Sequence, residues 1–390
     1  MGYLSNVKKQ YLINLFHSLI PAYVIERLFW QQRGMNVQMV IYCEIIYAVT
    51  VVIFEIPSGI LADKFGRKRL LIINGVLSVT EFVILLLANN FWMFGFAMFM
   101  SGTGKALSSG SQNALLFDSL LAEKKEDHFE KIIGRLYAVD FAGSIIAALS
   151  GSVLANLFGF EFNYIVSSFS MLGAFIVSLS LREPPMITEL ESEMSGIFHY
   201  AKQAIALFKA KPLVFIYCLS GAVLGSCLIY LDEFWQLILD EIGISVVFFG
   251  IASALVLSFR IPGNLLAYKL MKRFSYKTIL VLVIILNIAG YLSIFFTRSV
   301  LCLIPVVAIS FVAGIVEPLI TGYLHHSTDS NIRATVESFS SLGLRLISIL
   351  IGLVFGYIST QFSIFAGFAL LSAICLVYFI LFTGVLKRKV

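Results

Sequence analysis

GILADKFGRKR, Gly59 to Arg69, is a charged knot between two long apolar runs, and its reading decides the fold. Charges at this density cannot lie in hydrocarbon, so the stretch must be a tight polar hairpin between two membrane helices. Its basic content puts it on the cytoplasmic side. The residue types divide the work among them. Gly59 lets a neighbouring helix come close, Asp63 can sit near the positive N-terminal end of a helix, and Gly66 permits the turn. Lys64, Arg67, Lys68 and Arg69 hold the loop inside and can reach carboxylates nearby. On charge alone it is a positive-inside loop and nothing more.

Outward from that loop, the 390 residues are 59% apolar and only 13% charged, far too few charges to cover a soluble surface. The chain is therefore an all-α polytopic membrane protein. Apolar segments of about 20 residues, the length that spans a bilayer as helix, fall near 10–31, 37–62, 69–88, 91–117, 133–158 and 162–181. A second set falls near 212–238, 244–268, 276–296, 299–324, 335–359 and 362–386. Twelve spans place both termini in the cytoplasm. Of 28 Lys and Arg, only Arg33 and Arg298 then fall outside, and only Arg27, Lys105, Arg260 and Arg345 lie within spans once Arg69, Arg135 and Lys277, at the cytoplasmic ends of their ranges, are counted with the loops. The net charge of +5 is thus a topology signal, and no nucleic-acid partner is needed to explain it. The first apolar run lacks a small-residue cleavage site and is read as retained. Cys43, Cys218, Cys227, Cys302 and Cys375 are scattered through spans without metal-ligand spacing and read as packing residues.

The order of residues in the loop carries more than its charge. Gly, then Leu-Ala-Asp-Lys, then Gly-Arg-Lys-Arg resembles motif A, the loop between spans 2 and 3 of the major facilitator superfamily. The resemblance implies a transporter of two six-helix bundles, with spans 1, 4, 7 and 10 around a central cavity. An internal repeat agrees with it. An offset of 205 residues lays Phe29-Trp30-Gln31 on Phe234-Trp235-Gln236, Phe54-Glu55-Ile56-Pro57 on Phe259-Arg260-Ile261-Pro262, and Leu61-Ala62 on Leu266-Ala267. The expected domains are an N-terminal bundle, 1–182, a cytoplasmic linker, 183–211, and a C-terminal bundle, 212–390. Glu183-Pro184-Pro185 stops span 6, and Gly196 to Lys211 reads as an interfacial helix able to meet lipid headgroups.

Ionisable groups inside spans are costly and mark function. Glu55 corresponds to Arg260 and Asp140 to Arg345 at the repeat offset, acids in the first half and bases in the second. The resemblance brings span 2 to span 11 and span 5 to span 8. It thereby implies two pairs, Glu55 with Arg345 and Asp140 with Arg260, as a cytoplasmic gate or as permanent stitches. It also implies that Arg67 meets Asp118 at the end of span 4. Deeper lie Lys105 in span 4, Glu317 before Pro318 in span 10, Glu26 and Arg27 in span 1, and Asp232 and Glu233 in span 7. These, with Gln112 as the counterpart of Glu317, are the candidates for substrate and proton work. Glu317 is the first proton carrier, since an acid among low-dielectric walls can load and unload a proton; Glu26 is the second. Lys105 is fitted to hold an anionic group. A local Glu26–Arg27 salt pair is the plain alternative, and Glu44 and Glu81 have no partner visible in the sequence.

Two departures from the exporter pattern stand out. Met98 occupies the place four residues before Gly102 where exporters carry Arg, and Gly143 and Gly151 lack the Pro and Gly pair of the antiporter motif. Gly102 to Ala106 lacks the first Gly and the Ser or Thr of a phosphate loop. His17, His325 and His326 read as packing or surface histidines. The expected function is proton-coupled efflux of an amphipathic organic compound by a monomer in the plasma membrane, with the proton gradient as energy source and no cofactor or metal. Uptake of a small polar or zwitterionic nutrient is the alternative, and a lipid flippase or non-transporting receptor the third.

Overall fold

Bilayer-length apolar runs, glycine turns and side-chain caps set the elements of the computed structural model, which describes residues 3–185, 208, 211–328 and 333–387. The first span is broken: α1 (Ser5–Ser18) and α2 (Glu26–Gln32) flank a 3-10 turn at Pro21–Val24. There follow α3 (Val37–Phe65), α4 (Arg67–Leu87), α5 (Phe91–Leu121), α6 (Phe129–Phe158) and α7 (Phe160–Leu179). Next come α8 (Pro212–Glu241), α9 (Phe249–Arg273), α10 (Tyr276–Phe296), α11 (Leu303–Ser327), α12 (Arg333–Gln361) and α13 (Ile364–Lys387). Asn36 and Asn90 cap α3 and α5 by accepting from the amides of Met39 and Met93 at 2.9 and 3.2 Å. Pro212 opens α8, where its missing N–H costs nothing.

Among the described residues, ten helices are long and apolar enough to cross a membrane, and α1 with α2, bent by 49°, makes one more. The remaining long helix, α5, has 31 residues, ample for a crossing. It is not among the ten because its middle, SGTGKALSSGSQN, is rich in small and polar residues. Twelve spans result, as the sequence predicts. The polarity that hides α5 from a hydropathy count also builds one wall of a cavity.

Two compact units divide the chain: Met1–Leu190 with Ser245–Ala254, and Glu191–Ile244 with Leu255–Val390, here called unit 1 and unit 2. In unit 1 the break in the first span exposes backbone groups that hydrocarbon cannot satisfy. Asn163 of α7 supplies the remedy: its amide donates to the Pro21 and Gly151 carbonyls at 2.9 and 2.8 Å, and the Ser167 hydroxyl accepts from the Ala22 N–H. In unit 2, α9 and α11 touch backbone to backbone. A Cβ added to Gly263 would collide with the Phe311 carbonyl oxygen, and one on Gly314 with that of Arg260. The interfacial helix expected over Gly196 to Lys211 lies outside the described residues, apart from Phe208 and Lys211.

Candidate functional site

The charged hairpin at Gly59 to Arg69 is a corner of unit 1 tied by other segments of the chain. Gly66 turns the backbone with φ +91°, a conformation other residues resist. It leaves α4 without a capping side chain of its own. The Glu183 carboxylate fills that place, accepting from the Arg67 and Lys68 N–H groups at 2.8 Å each. The Arg67 side chain donates to the Ala114 carbonyl at 3.0 Å and pairs with Asp118, so α4 is pinned to α5. The Lys64 ammonium lies 5.4 Å from the Phe65 ring centre. The Asp63 side chain lies outside the described residues. Among the described residues no atom lies within 4 Å of where a Gly59 Cβ would stand. In the sequence Glu183 reads only as part of a helix stop. Its acid type, just beyond a span that returns to the loop, was the available signal.

Beyond the corner, a cavity of about 480 Å³ opens among α1, α4, α5 and α6. α5 contributes Ser101, Lys105, Ser108, Ser109 and Gln112, at the three- and four-residue steps of one helix face. α4 gives Asn74, Ser78 and Glu81 on the same principle, while α1 gives Asn14 and His17 and α6 gives Tyr137 and Asp140. Much of this wall is internally satisfied. Asn14 donates to the Leu136 carbonyl at 3.0 Å, Ser18 donates to Asp140 at 2.7 Å, and Gln10 donates to the Gln112 carbonyl at 3.1 Å. Lys105 is exposed to the cavity, and among the described residues it has no ion-pair partner. Glu81 is 8% exposed and faces Ser101.

Glu26 and Arg27 do not appear among the residues lining this cavity. Arg27, 3% exposed, donates to Glu44 at 2.7 Å, lies 3.9 Å from Glu26, and sits with its guanidinium carbon 5.0 Å from the Trp30 ring centre. Trp30 in turn donates to the Tyr164 hydroxyl at 3.2 Å. This is a clamp from α2 to α3, and Glu44 is the partner that local sequence could not supply. Arg33 holds the neighbouring loop to Glu161 at 3.1 Å.

Unit 2 has a cavity of about 530 Å³ with a different wall. Leu224, Leu228, Ile229, Ile320 and Leu344 dominate it; Glu317 and Arg260 are its charged points, and Asn264, Asn287, Thr321, Ser340 and Ser341 add neutral polar groups. Arg260 is engaged by Asp232, whose two carboxylate oxygens accept at 2.8 and 2.9 Å. Glu233, the next residue of α8, is partly exposed. Glu317 is exposed and, among the described residues, has no ion-pair partner. The pairs that the resemblance implied draw on both units. Within unit 1, Asp140 holds Ser18, and Glu55 lines a groove with Ser58, Gly59 and Arg67 without pairing to a described cation. Within unit 2, Arg260 holds Asp232, and Arg345 pairs with no described acid.

The sequence profile described as Major Facilitator Superfamily matches residues 11–336 and 233–390. An uncharacterized transporter of Buchnera aphidicola subsp. Acyrthosiphon pisum is 31% identical over 132 residues, 34% of this chain and 32% of that one. The chain thus spans about a third of that relative's length in the match. The class H tetracycline resistance protein of Pasteurella multocida is 22% identical over 302 residues, 75% of this chain and 72% of its own. Among solved structures, that of the nucleoside transporter NupG superposes with a TM-score of 0.79 at 13% identity, covering 99% of both chains. At that identity the likeness shows the fold alone.

Proposed function

The chain belongs to the Major Facilitator Superfamily, and from that premise we propose that it is a secondary active transporter that exports an amphipathic organic compound in exchange for protons. Its two units would work by alternating access. The observation that carries the reading is Glu317: an unpaired carboxyl, among the described residues, on a cavity whose remaining wall is mainly aliphatic. An acid there can exchange a proton while the apolar wall takes the body of a substrate. The match to a tetracycline resistance protein supports export. The reading places the chain in the plasma membrane as a monomer with both termini in the cytoplasm, among lipids, with the proton gradient as its only energy source.

Inverted vesicles test it. A panel of amphipathic compounds is added to acid-loaded vesicles carrying the full chain, and a transported compound collapses the pH gradient. Glu317→Gln vesicles are expected to lose that collapse. Collapse that survives in Glu317→Gln removes Glu317 from the coupling, and flux that ignores the gradient removes the exchange itself. The polar cavity of unit 1 supports a second reading, uptake of a small polar nutrient. Right-side-out vesicles that accumulate such a compound would establish that reading in place of export.

A further inference from the structure

Two opposite charges open onto the cavity of unit 1 from different helices: Lys105 from α5 and Asp140 from α6. They do not meet. Among the described residues, neither has an ion-pair partner within 4.0 Å, and the hydrogen bond seen on Asp140 comes from the Ser18 hydroxyl. Inside a membrane protein this separation forgoes a strong attraction, because charges interact more strongly away from bulk water. Neutrality alone would be served better by a closed pair, as Arg27 and Glu44 form in the same unit at 2.7 Å. The surrounding hydroxyls and amides carry no net charge. The wall carries two further titratable groups, His17 and Glu81, of which Glu81 is withdrawn against Ser101 and 8% exposed.

We propose that this cavity binds a zwitterion, with a carboxylate at Lys105 and an ammonium or quaternary amine at Asp140. A purely anionic ligand would satisfy the lysine and face the aspartate unrelieved. A purely cationic one would do the reverse. A molecule carrying both charges answers both groups, and about 480 Å³ holds an amino acid or a larger amphoteric compound. The inference rests on the transporter reading, since it names the class of the substrate's head group, but the binding site can be tested without flux.

The probes are L-phenylalanine, 3-phenylpropionate and 2-phenylethylamine, which differ only in which charges they carry, with alanine, propionate and ethylamine as a smaller set. Thermal unfolding of the full chain in detergent is followed at rising concentration of each. For at least one set, the zwitterion is expected to half-saturate at about tenfold lower concentration than either analogue, the equivalent of one added ion pair. Lys105→Gln should erase the advantage of the zwitterion over the amine, and Asp140→Asn its advantage over the carboxylate. Lys105→Arg and Asp140→Glu should keep part of it. Each neutral variant must still respond to the analogue it spares, which a misfolded protein cannot do. If neither neutral variant folds, the discrimination by the unmodified chain decides alone. Single-charge analogues binding as well as the zwitterion, variants losing all probes alike, or no stabilisation by any probe would overturn the proposal. Zwitterion binding in vesicles that show no flux would leave the site standing and sink the transport reading. Flux of a compound that is indifferent to both substitutions would do the opposite.

Discussion

Arg27 and Asp232 stand 205 residues apart at equivalent places of the repeat, and each clamps the first span of its unit to the second. Arg27 takes Glu44 on α3 and Asp232 takes Arg260 on α9. The signs are reversed, and the partners are not equivalent: Glu44 maps onto Phe249, and Arg260 maps onto Glu55. Hairpin geometry explains the mismatch. In the first half of the repeat the turn lies between Gln32 and Val37, while in the second half it lies between Glu241 and Phe249, about five residues later once the offset is removed. Across two antiparallel helices a shifted turn moves the opposing residue by twice the shift, about three helical turns. The lesson is that a charge at this position is retained only with a countercharge where the local register puts one.

The two clamps differ in burial, and that gives the largest expected effect. Arg27 is 3% exposed and its partner Glu44 32%, whereas the Arg260 and Asp232 side chains are 30% and 35% exposed, with Arg260 on the wall of a cavity. Removing one partner of a buried pair costs about 3–5 kcal/mol, because the other charge is left stranded. A pair that water can reach contributes about 1 kcal/mol or less. Glu44→Gln strands the buried Arg27 and should therefore lower the unfolding temperature in detergent far more than Asp232→Asn, which strands the partly exposed Arg260, and Arg27→Leu with Glu44→Leu should recover much of the loss. Equal losses in the two units would break the comparison.

How much of this was legible follows the same line between local and distant partners. The corner at Gly59 to Arg69 and the twelve spans could be read directly, because turn chemistry and apolar length are written in consecutive residues. The likeness to motif A extended to the contact of Arg67 with Asp118. Glu44 and Glu183 were not legible as partners: one is 17 residues from Arg27 and the other 116 from Arg67, and only the packed helices bring them together. Arg260 was assigned by the resemblance to Asp140, and its bond to Asp232 depends on a hairpin register that the sequence does not display. The cavities were half legible. Lys105 and Glu317 announced themselves as charges in apolar spans, but that one wall would be polar and the other aliphatic required the helix faces.

The second prediction concerns why the first spans differ at all. Asn163 holds the broken turn of unit 1, and its repeat counterpart is Phe368 in unit 2, whose first span, α8, runs unbroken for 30 residues. Both are fully buried. Asn163→Phe installs the residue of unit 2 in unit 1 and strips hydrogen bonds from the Pro21 and Gly151 carbonyls. At about 1–3 kcal/mol for each buried group that loses its partner, the expected loss is about 2–6 kcal/mol. Deuterium exchange should locate it, with faster exchange over residues 19–25 and little change in α8. Uniform loosening of both units would show that Asn163 acts as bulk packing and not as a partner for the break.

The smallest effect separates the two ways of starting the third span. α10 begins at its own cap, the Ser275 hydroxyl accepting from the Thr278 N–H at 3.2 Å, a cap visible in the sequence. α4 begins at Gly66 and borrows the Glu183 carboxylate for two N–H groups. Ser275→Ala removes two neutral bonds, to the Thr278 N–H and hydroxyl, at a solvent-facing helix end and should cost about 1 kcal/mol. Glu183→Ala removes two bonds to a charged group that also offsets the positive end of α4, and about 2 kcal/mol is expected. Glu183→Gln keeps an acceptor without the charge and should fall between Glu183→Ala and the unmodified chain. If Glu183→Gln equals Glu183→Ala, the carboxylate acts through its charge on the dipole and its neighbouring arginine. If it equals the unmodified chain, shape and hydrogen bonding suffice at this cap.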